Sequence, residues 1–206
     1  MKKSLILFLC FTTLLISSCA KIYQSPDALR IAQRHKIIAI TPPKVAIAPS
    51  KKSTPEGIIE QQKTESLNFQ KEMHSWLLRR KMQNKITVEI QDVETTNAKL
   101  KKAGYFEGAP LTPAEISELL GVDAILTSNY SLSKPMSEGG AIAVGLIFGE
   151  WGNTNEATVT LDLHDRTTQK MIWNFNHKVG GSVFSSSSQL VDDLMRNASR
   201  NMPYSK

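Results

Sequence analysis

The sequence predicts a single α/β domain, a mixed β-sheet backed by helices. Three observations carry that expectation. Short apolar runs alternate with amphipathic stretches that open on Ser, Thr or Asp, and two of these close on Gly. Two arms of period-two alternation, in "NEATVTLDLHD" and "MIWNFNHKV", read as a hairpin. The resulting order, β-α-β-α-α-β-β-β-α, interleaves strands and helices throughout.

The first element precedes the domain. Lys2 and Lys3 are followed by Leu5, Ile6, Leu7, Phe8, Leu9, Phe11, Leu14, Leu15 and Ile16, and then by the small residues Ser17 and Ser18 before Cys19. A basic start, an apolar core of roughly 7–15 residues and a small-residue end is the order of a secretory signal. A spanning helix needs about 20 apolar residues, more than this run offers. Ile16-Ser17-Ser18-Cys19 resembles the lipobox of bacterial lipoproteins. That resemblance implies cleavage before Cys19, a diacylglycerol on its sulfur and a further acyl chain on the freed amine. Two or more chains hold a protein stably on a membrane, whereas one holds it marginally. Ala20 and Lys21 follow, and by the sorting rule of enteric bacteria the lack of Asp after the cysteine implies the outer membrane. Residues 1–18 are therefore expected to be a cleaved lipoprotein signal peptide. Residues 19–34 are expected to be a lipidated tether or a short lead-in helix, and 35–204 an α/β domain on the periplasmic face.

Composition limits the function classes. The net charge of +6 is mild and spread along the chain, and Lys2 and Lys3 leave with the signal. It points to solubility and contact with anionic envelope polymer, with no nucleic-acid partner. Of the two cysteines, Cys10 leaves with the signal and Cys19 becomes the anchor. The domain then has no thiol and must be stabilised by packing.

Within the domain, Ile37–Ile40 and Val45–Ala48 read as two strands broken by Pro42 and Pro43, because proline cannot donate to a ladder. Ser53 as cap, Glu56 three residues on and Pro55 in the first turn open a long helix. Ile58, Ile59, Phe69, Met73, Trp76 and Leu77 fall within an arc of about 100°, a core stripe. Leu67 and Leu78 on the opposite face indicate a second contact. Ile86, Val88 and Ile90 alternate as a strand. Asp92 caps the next helix and Gly104 stops it. Thr112, Pro113 and Glu115 begin another with a capping box, and Gly121 ends it. Val122–Leu132 reads as a strand. In the hairpin, Val159, Leu161 and Leu163 face Met171, Trp173 and Phe175. The last helix, from about Ser187, puts Leu190, Val191, Leu194, Met195 and Ala198 on one face and an Asp192–Arg196 pair on the other.

"KIIAITPPKV", "LLGVDAILTSNYSL", "TVTLDLHDRTTQKMIWNF" and the ending "NMPY" resemble an uncharacterised bacterial lipoprotein family. Its domain is similar to the amino-terminal domain of TolB and to the curli-secretion lipoprotein CsgG. Gly121-Val122-Asp123, Asp165 and Trp173 match its pattern over about residues 36–204. The hairpin turn departs from it, with Arg166-Thr167-Thr168-Gln169 where the family often has Gly. The resemblance implies a fold and an envelope address, and partners in assembly, secretion or synthase regulation.

No catalytic constellation stands out. There is no G-x-S-x-G, H-E-x-x-H or phosphate-binding glycine loop, and the four histidines show no metal-ligand spacing. Neither catalytic residues nor a metal site is expected, and no cofactor beyond the covalent lipid on Cys19. The segment from Gly139 to Gly149 is uncharged, and reads either as a buried helix or glycine-rich loop, or as a loop that docks a partner or dips into the bilayer. The candidate contact residues there are Gly139, Gly140, Ile142, Val144, Leu146, Ile147, Phe148 and Trp151. The function expected is that of a non-enzymatic outer-membrane lipoprotein, possible as a homo-oligomer, that binds an envelope protein in assembly or secretion. A regulator docking on a peptidoglycan synthase is the alternative, and an envelope hydrolase a third reading.

Overall fold

The central strand of the domain is β5 (Ala124–Leu132), and its two edges explain the sheet. On one edge it pairs antiparallel with β6 (Asn155–Asp165), which pairs with β7 (Met171–Gly181), which pairs with β1 (Lys21–Gln24). On the other edge it takes two parallel partners in succession, β2 (Ile37–Ile40) and then β3 (Lys44–Ile47). β4 (Glu89–Ile90) adds to β2 in parallel. The computed structural model describes residues 20–49, 53–133, 155–181 and 186–206, and among these the sheet has seven strands. Prolines 42 and 43 divide β2 from β3 as the sequence predicts, and both halves stay on β5.

Helices α2 (Pro55–Met82) and α5 (Ser187–Ala198) cover one face of the sheet. Phe69, Met73, Trp76 and Leu77 pack there with Leu190, Val191, Leu194 and Met195 against Leu126, Tyr130, Val159, Leu161, Trp173 and Phe175. Phe69 stacks on Tyr130 with ring centroids 4.1 Å apart. Helices α3 (Val93–Lys102) and α4 (Pro113–Leu120) cover only part of the other face, where Leu100, Ile116 and Leu120 meet Ala39, Val122 and Ile125. The domain is thus a single α/β unit with a mixed sheet backed by helices. Beyond that cover the second face is a polar ladder: Asn174 donates to Asp162 at 2.5 Å and Asn176 to Thr160 at 3.0 Å.

Several boundaries follow local chemistry. In α4 the Thr112 hydroxyl accepts from the Glu115 N–H, the Glu115 carboxylate accepts from the Thr112 N–H, and Gly121 closes the helix at φ 70°. Asp92 caps α3 through the Thr95 N–H at 2.9 Å, and Gly104 follows it at φ 72°. Ser186 caps α5, and Asp192 pairs with Arg196.

Other expectations need correction. The cap of α2 is Thr54, which accepts from the Gly57 N–H at 3.1 Å, so the helix opens one residue later than a Ser53 cap would place it. Ile59 is 65% exposed, whereas Gln61, Glu65 and Gln70 are buried. The amino-terminal half of the helix therefore packs through polar contacts: Gln61 and Ser187 donate to Glu65, and Gln70 donates to the Ile40 carbonyl. The strand expected around Ile86–Ile90 joins the sheet at Glu89–Ile90 alone, while Ile86 makes an isolated antiparallel bridge with Ser205 and both Ile86 and Val88 are buried. Met171 is 37% exposed and Ile172 is fully buried in its place. A bulge opposite Leu163 and His164 turns the start of β7 by one residue. The hairpin turn, Arg166-Thr167-Thr168-Gln169 with no Gly, puts Gln169 at φ 57°. The stretch read as a tether or a lead-in helix does contain a short helix, and what the sequence did not indicate is the strand before it. β1 pairs with β7, and α1 (Ala28–Ala32) buries Ala28 and Ile31 completely.

Candidate functional site

Cys19 and the segment bearing Gly139, Gly140, Ile142, Val144, Leu146, Ile147, Phe148 and Trp151 lie outside the described residues. Their flanks do not. β1 starts two residues after Cys19, with Lys21 opposite Asn176. It runs antiparallel to β7, so its first residue points toward the end of the sheet where β5 finishes at Leu132 and β6 begins at Asn155.

The described residues offer a cleft of about 620 Å³ at the proline break. One wall is the middle of α2, with Lys63, Ser66 and Leu67. The opposite wall is the one-turn 3-10 helix Tyr105–Glu107 and the loop leading to α4. Thr127, Ser128 and Asn129 of β5 and Lys44 and Val45 of β3 complete the lining. Of the two residues expected to make a second contact, Leu67 lines this cleft half-buried and Leu78 is 38% exposed. Side chains close off the break itself: Ser66 donates to the Pro43 carbonyl at 2.6 Å, and Tyr105 makes a long 3.5 Å bond to the Pro42 carbonyl. Burial pushes the Tyr105 phenol up, against a smaller opposing effect of the Thr41 side chain, so it remains a donor. Tyr105 and Phe106 meet edge to face, with centroids 5.5 Å apart at 88°. The turn that presents them is bracketed by Gly104 at φ 72° and Gly108 at φ 89°, left-handed positions that suit glycine. Among the described residues that line the cleft the charged ones are Lys44 and Lys63, and Glu107 of the same turn lies outside the lining.

A second constellation lies inside the domain. The Asp165 carboxylate accepts from His35 Nε2 at 2.7 Å and from the Thr168 N–H and hydroxyl, each at 2.6 Å. His35 Nδ1 lies 2.6 Å from the Tyr204 hydroxyl. Burial raises the Asp165 carboxyl, but the Thr168 and His35 donors outweigh it and hold it below the usual carboxylate value. An ionised carboxylate only accepts, so Nε2 donates. Tyr204 is pushed well above its ordinary value by burial first and by Asp165 and Asp123 after it, so its phenol stays protonated. The order carboxylate, imidazole, hydroxyl is that of an activated nucleophile. The His35 and Asp165 side chains are only 4% and 2% exposed and Tyr204 3%, which keeps substrate away. The group acts as a clamp joining the lead-in to β2, the hairpin turn and the carboxyl end. Asp123 does similar work: it accepts from the Lys36 and Ile37 N–H groups at 2.7 and 3.1 Å and faces Arg166 at 3.6 Å. Asp123 and Asp165 are thus fold-holding residues. His35, Asp165 and Tyr204 of the ending "NMPY" are far apart in the sequence, and no local pattern joins them. Among the described residues no group of three or more His, Cys, Asp or Glu is placed to hold a metal ion.

No family model and no curated protein matches the chain. Among solved structures it is similar to lipoprotein GNA1162 from Neisseria meningitidis, with 13% identity over 81% of this chain and 97% of that one and a TM-score of 0.45. It is similar to the carboxyl-terminal domain of LpoB from Salmonella enterica at 12% identity over 70% and 82%, TM-score 0.34. A PelC dodecamer from Paraburkholderia phytofirmans shows 10% identity over 91% and 98%, TM-score 0.39.

Proposed function

We propose that the protein is a non-enzymatic lipoprotein, anchored through acylated Cys19 on the periplasmic face of the outer membrane. Its α/β domain binds a protein partner in envelope assembly or secretion. The signal peptide and the Ile16–Cys19 lipobox support the anchor, and the TolB-like and CsgG-like sequence pattern supports the address. Among the described residues no helix is long and apolar enough to cross a membrane, so the acyl chains are the anchor the reading relies on.

The observation that carries the reading is the start of β1 at Lys21. Only Ala20 separates the lipidated residue from a strand held in the sheet. At about 3.3–3.6 Å per extended residue, that joint reaches less than about 10 Å. A domain held so close to its bilayer meets partners that sit in, or come to, the same membrane. This favours an outer-membrane assembly or secretion partner over a regulator that must dock on a synthase in the opposite membrane.

The test is a pull-down of the acylated protein from detergent-solubilised membranes, with the partner identified by mass spectrometry. An outer-membrane assembly or secretion component is expected. A peptidoglycan synthase as the specific partner would overturn the preference, and hydrolysis of purified peptidoglycan by the protein would overturn the non-enzymatic reading.

A further inference from the structure

The cleft at the proline break lies beside an edge strand. β3 pairs with β5 on one side and with no described strand on the other. The Ala48 N–H donates to the Leu132 carbonyl, so alternate residues 44 and 46 also turn their backbone groups toward β5, and Val45 turns its own outward, beside the cleft it lines. An outward N–H and C=O on an edge strand are the groups to which an extended chain adds.

Three features next to that edge define the ligand. Both charged residues of the lining, Lys44 and Lys63, are cationic. Tyr105 and Phe106 form an aromatic wall, and Phe106 is 41% exposed, more than its apolar ring favours in an unoccupied surface. The cleft also lies across the sheet from the anchor. Lys44, Asn129, Thr160, Asn176 and Lys21 follow one another along a single row, which puts Lys44 four strand spacings, about 19 Å, from the start of β1. The outward backbone groups of Val45 on an edge strand, with two lysines beside them, favour an extended protein segment over the bilayer as occupant.

We propose that this cleft docks an extended acidic segment of a partner protein. The segment adds to the outer edge of β3, seats a proline or aliphatic side chain on Tyr105 and Phe106, and brings carboxylates to Lys44 and Lys63. This rests on the partner-binding reading above and names the chemistry of the partner.

The experiment uses the full acylated protein in detergent micelles and a fluorescein-labelled positional-scanning library of extended hexapeptides. The expected result is selection of peptides carrying Asp or Glu beside Pro, Leu or Val. Affinity for the selected peptide should fall at least about tenfold in Phe106→Ala and in the double variant Lys44→Glu/Lys63→Glu, each at an unchanged melting temperature. The double variant should select Lys and Arg peptides instead. If it does not fold, Lys63→Gln, at an exposed helix position, should still lose affinity. No selection for acidic peptides, or the same selection by all variants, would overturn the proposal. So would lysine-dependent binding to phosphatidylglycerol vesicles without peptide binding, or self-association lost with Phe106→Ala, which would assign the cleft to lipid or to a second copy. Binding in micelles does not depend on membrane address, so a failed anchor and a failed cleft give separate results.

Discussion

Replacing Asp165 tests the buried clamp most sharply. Its carboxylate receives three donors, His35 Nε2 on one oxygen and the Thr168 N–H and hydroxyl on the other. Asn has one oxygen where Asp has two, so in Asp165→Asn either His35 or the Thr168 N–H faces an amide NH₂. Losing one hydrogen bond to a charged group costs about 1.5–3 kcal/mol. Asp165→Ala removes the acceptor of all three bonds and leaves the His35 and Thr168 donors without it, for which a larger loss than in Asp165→Asn is expected. Tyr204→Phe removes only a neutral hydroxyl and should cost about 0.5–1.5 kcal/mol. The three variants should therefore rank Ala, Asn, Phe in urea denaturation of the full chain, read from the midpoint at constant slope. The pH dependence has a definite sign. The folded Asp165 carboxyl lies below its ordinary value of about 3.9, so its contribution is fully present above that value and fades as pH falls through it toward the folded one. The wild type should lose more stability than Asp165→Asn between about pH 5 and 3. An Asp165→Ala variant within about 0.5 kcal/mol of wild type would refute the clamp.

Trp173 is fully buried between the hairpin and the helices, so Trp173→Ala should cost about 3–5 kcal/mol in the same assay. A loss below about 1 kcal/mol would reverse the assignment of that face. Replacing Leu146, Ile147 and Phe148 together by Ser separates the two readings of their segment: a docking loop keeps its melting temperature nearly unchanged and loses partner or membrane contact, and a core segment unfolds. An unfolded or aggregated triple variant would make the segment core and end the docking reading.

Local chemistry was the legible part of this sequence. The Thr112–Glu115 box, the Asp92 cap and the left-handed Gly104 and Gly121 each act within a few residues, and a linear reading finds them. The faces of β6 and α5 were legible because burial repeats at fixed periods along them. β1 was not, since Lys21, Ile22, Tyr23 and Gln24 are all exposed and show no alternation. Only its ladder to β7, far along the chain, makes it a strand. Met171 and Ile172 exchanged places because a bulge shifts register, and nothing in the local pattern announces one. On α2 the stripe of Phe69, Met73, Trp76 and Leu77 was read correctly. The same stripe fails at Ile59 because the helix there packs through Gln61 and Glu65, whose burial depends on Ser187 more than a hundred residues away. His35, Asp165 and Tyr204 escaped notice for the same reason: they converge only through the sheet. The cleft shared that fate, as Lys44, Lys63 and Phe106 belong to three separate elements.

The central claim is that acyl chains on Cys19 hold the folded domain directly on the outer membrane. Fractionation of cells producing wild type and Cys19→Ala, with the mass of the wild-type amino-terminal peptide measured, tests it most directly. The account predicts wild type in the outer-membrane fraction with an acylated Cys19, and a folded Cys19→Ala protein released into the soluble fraction. A Cys19→Ala protein that still sediments fully with outer membranes at high salt would contradict it.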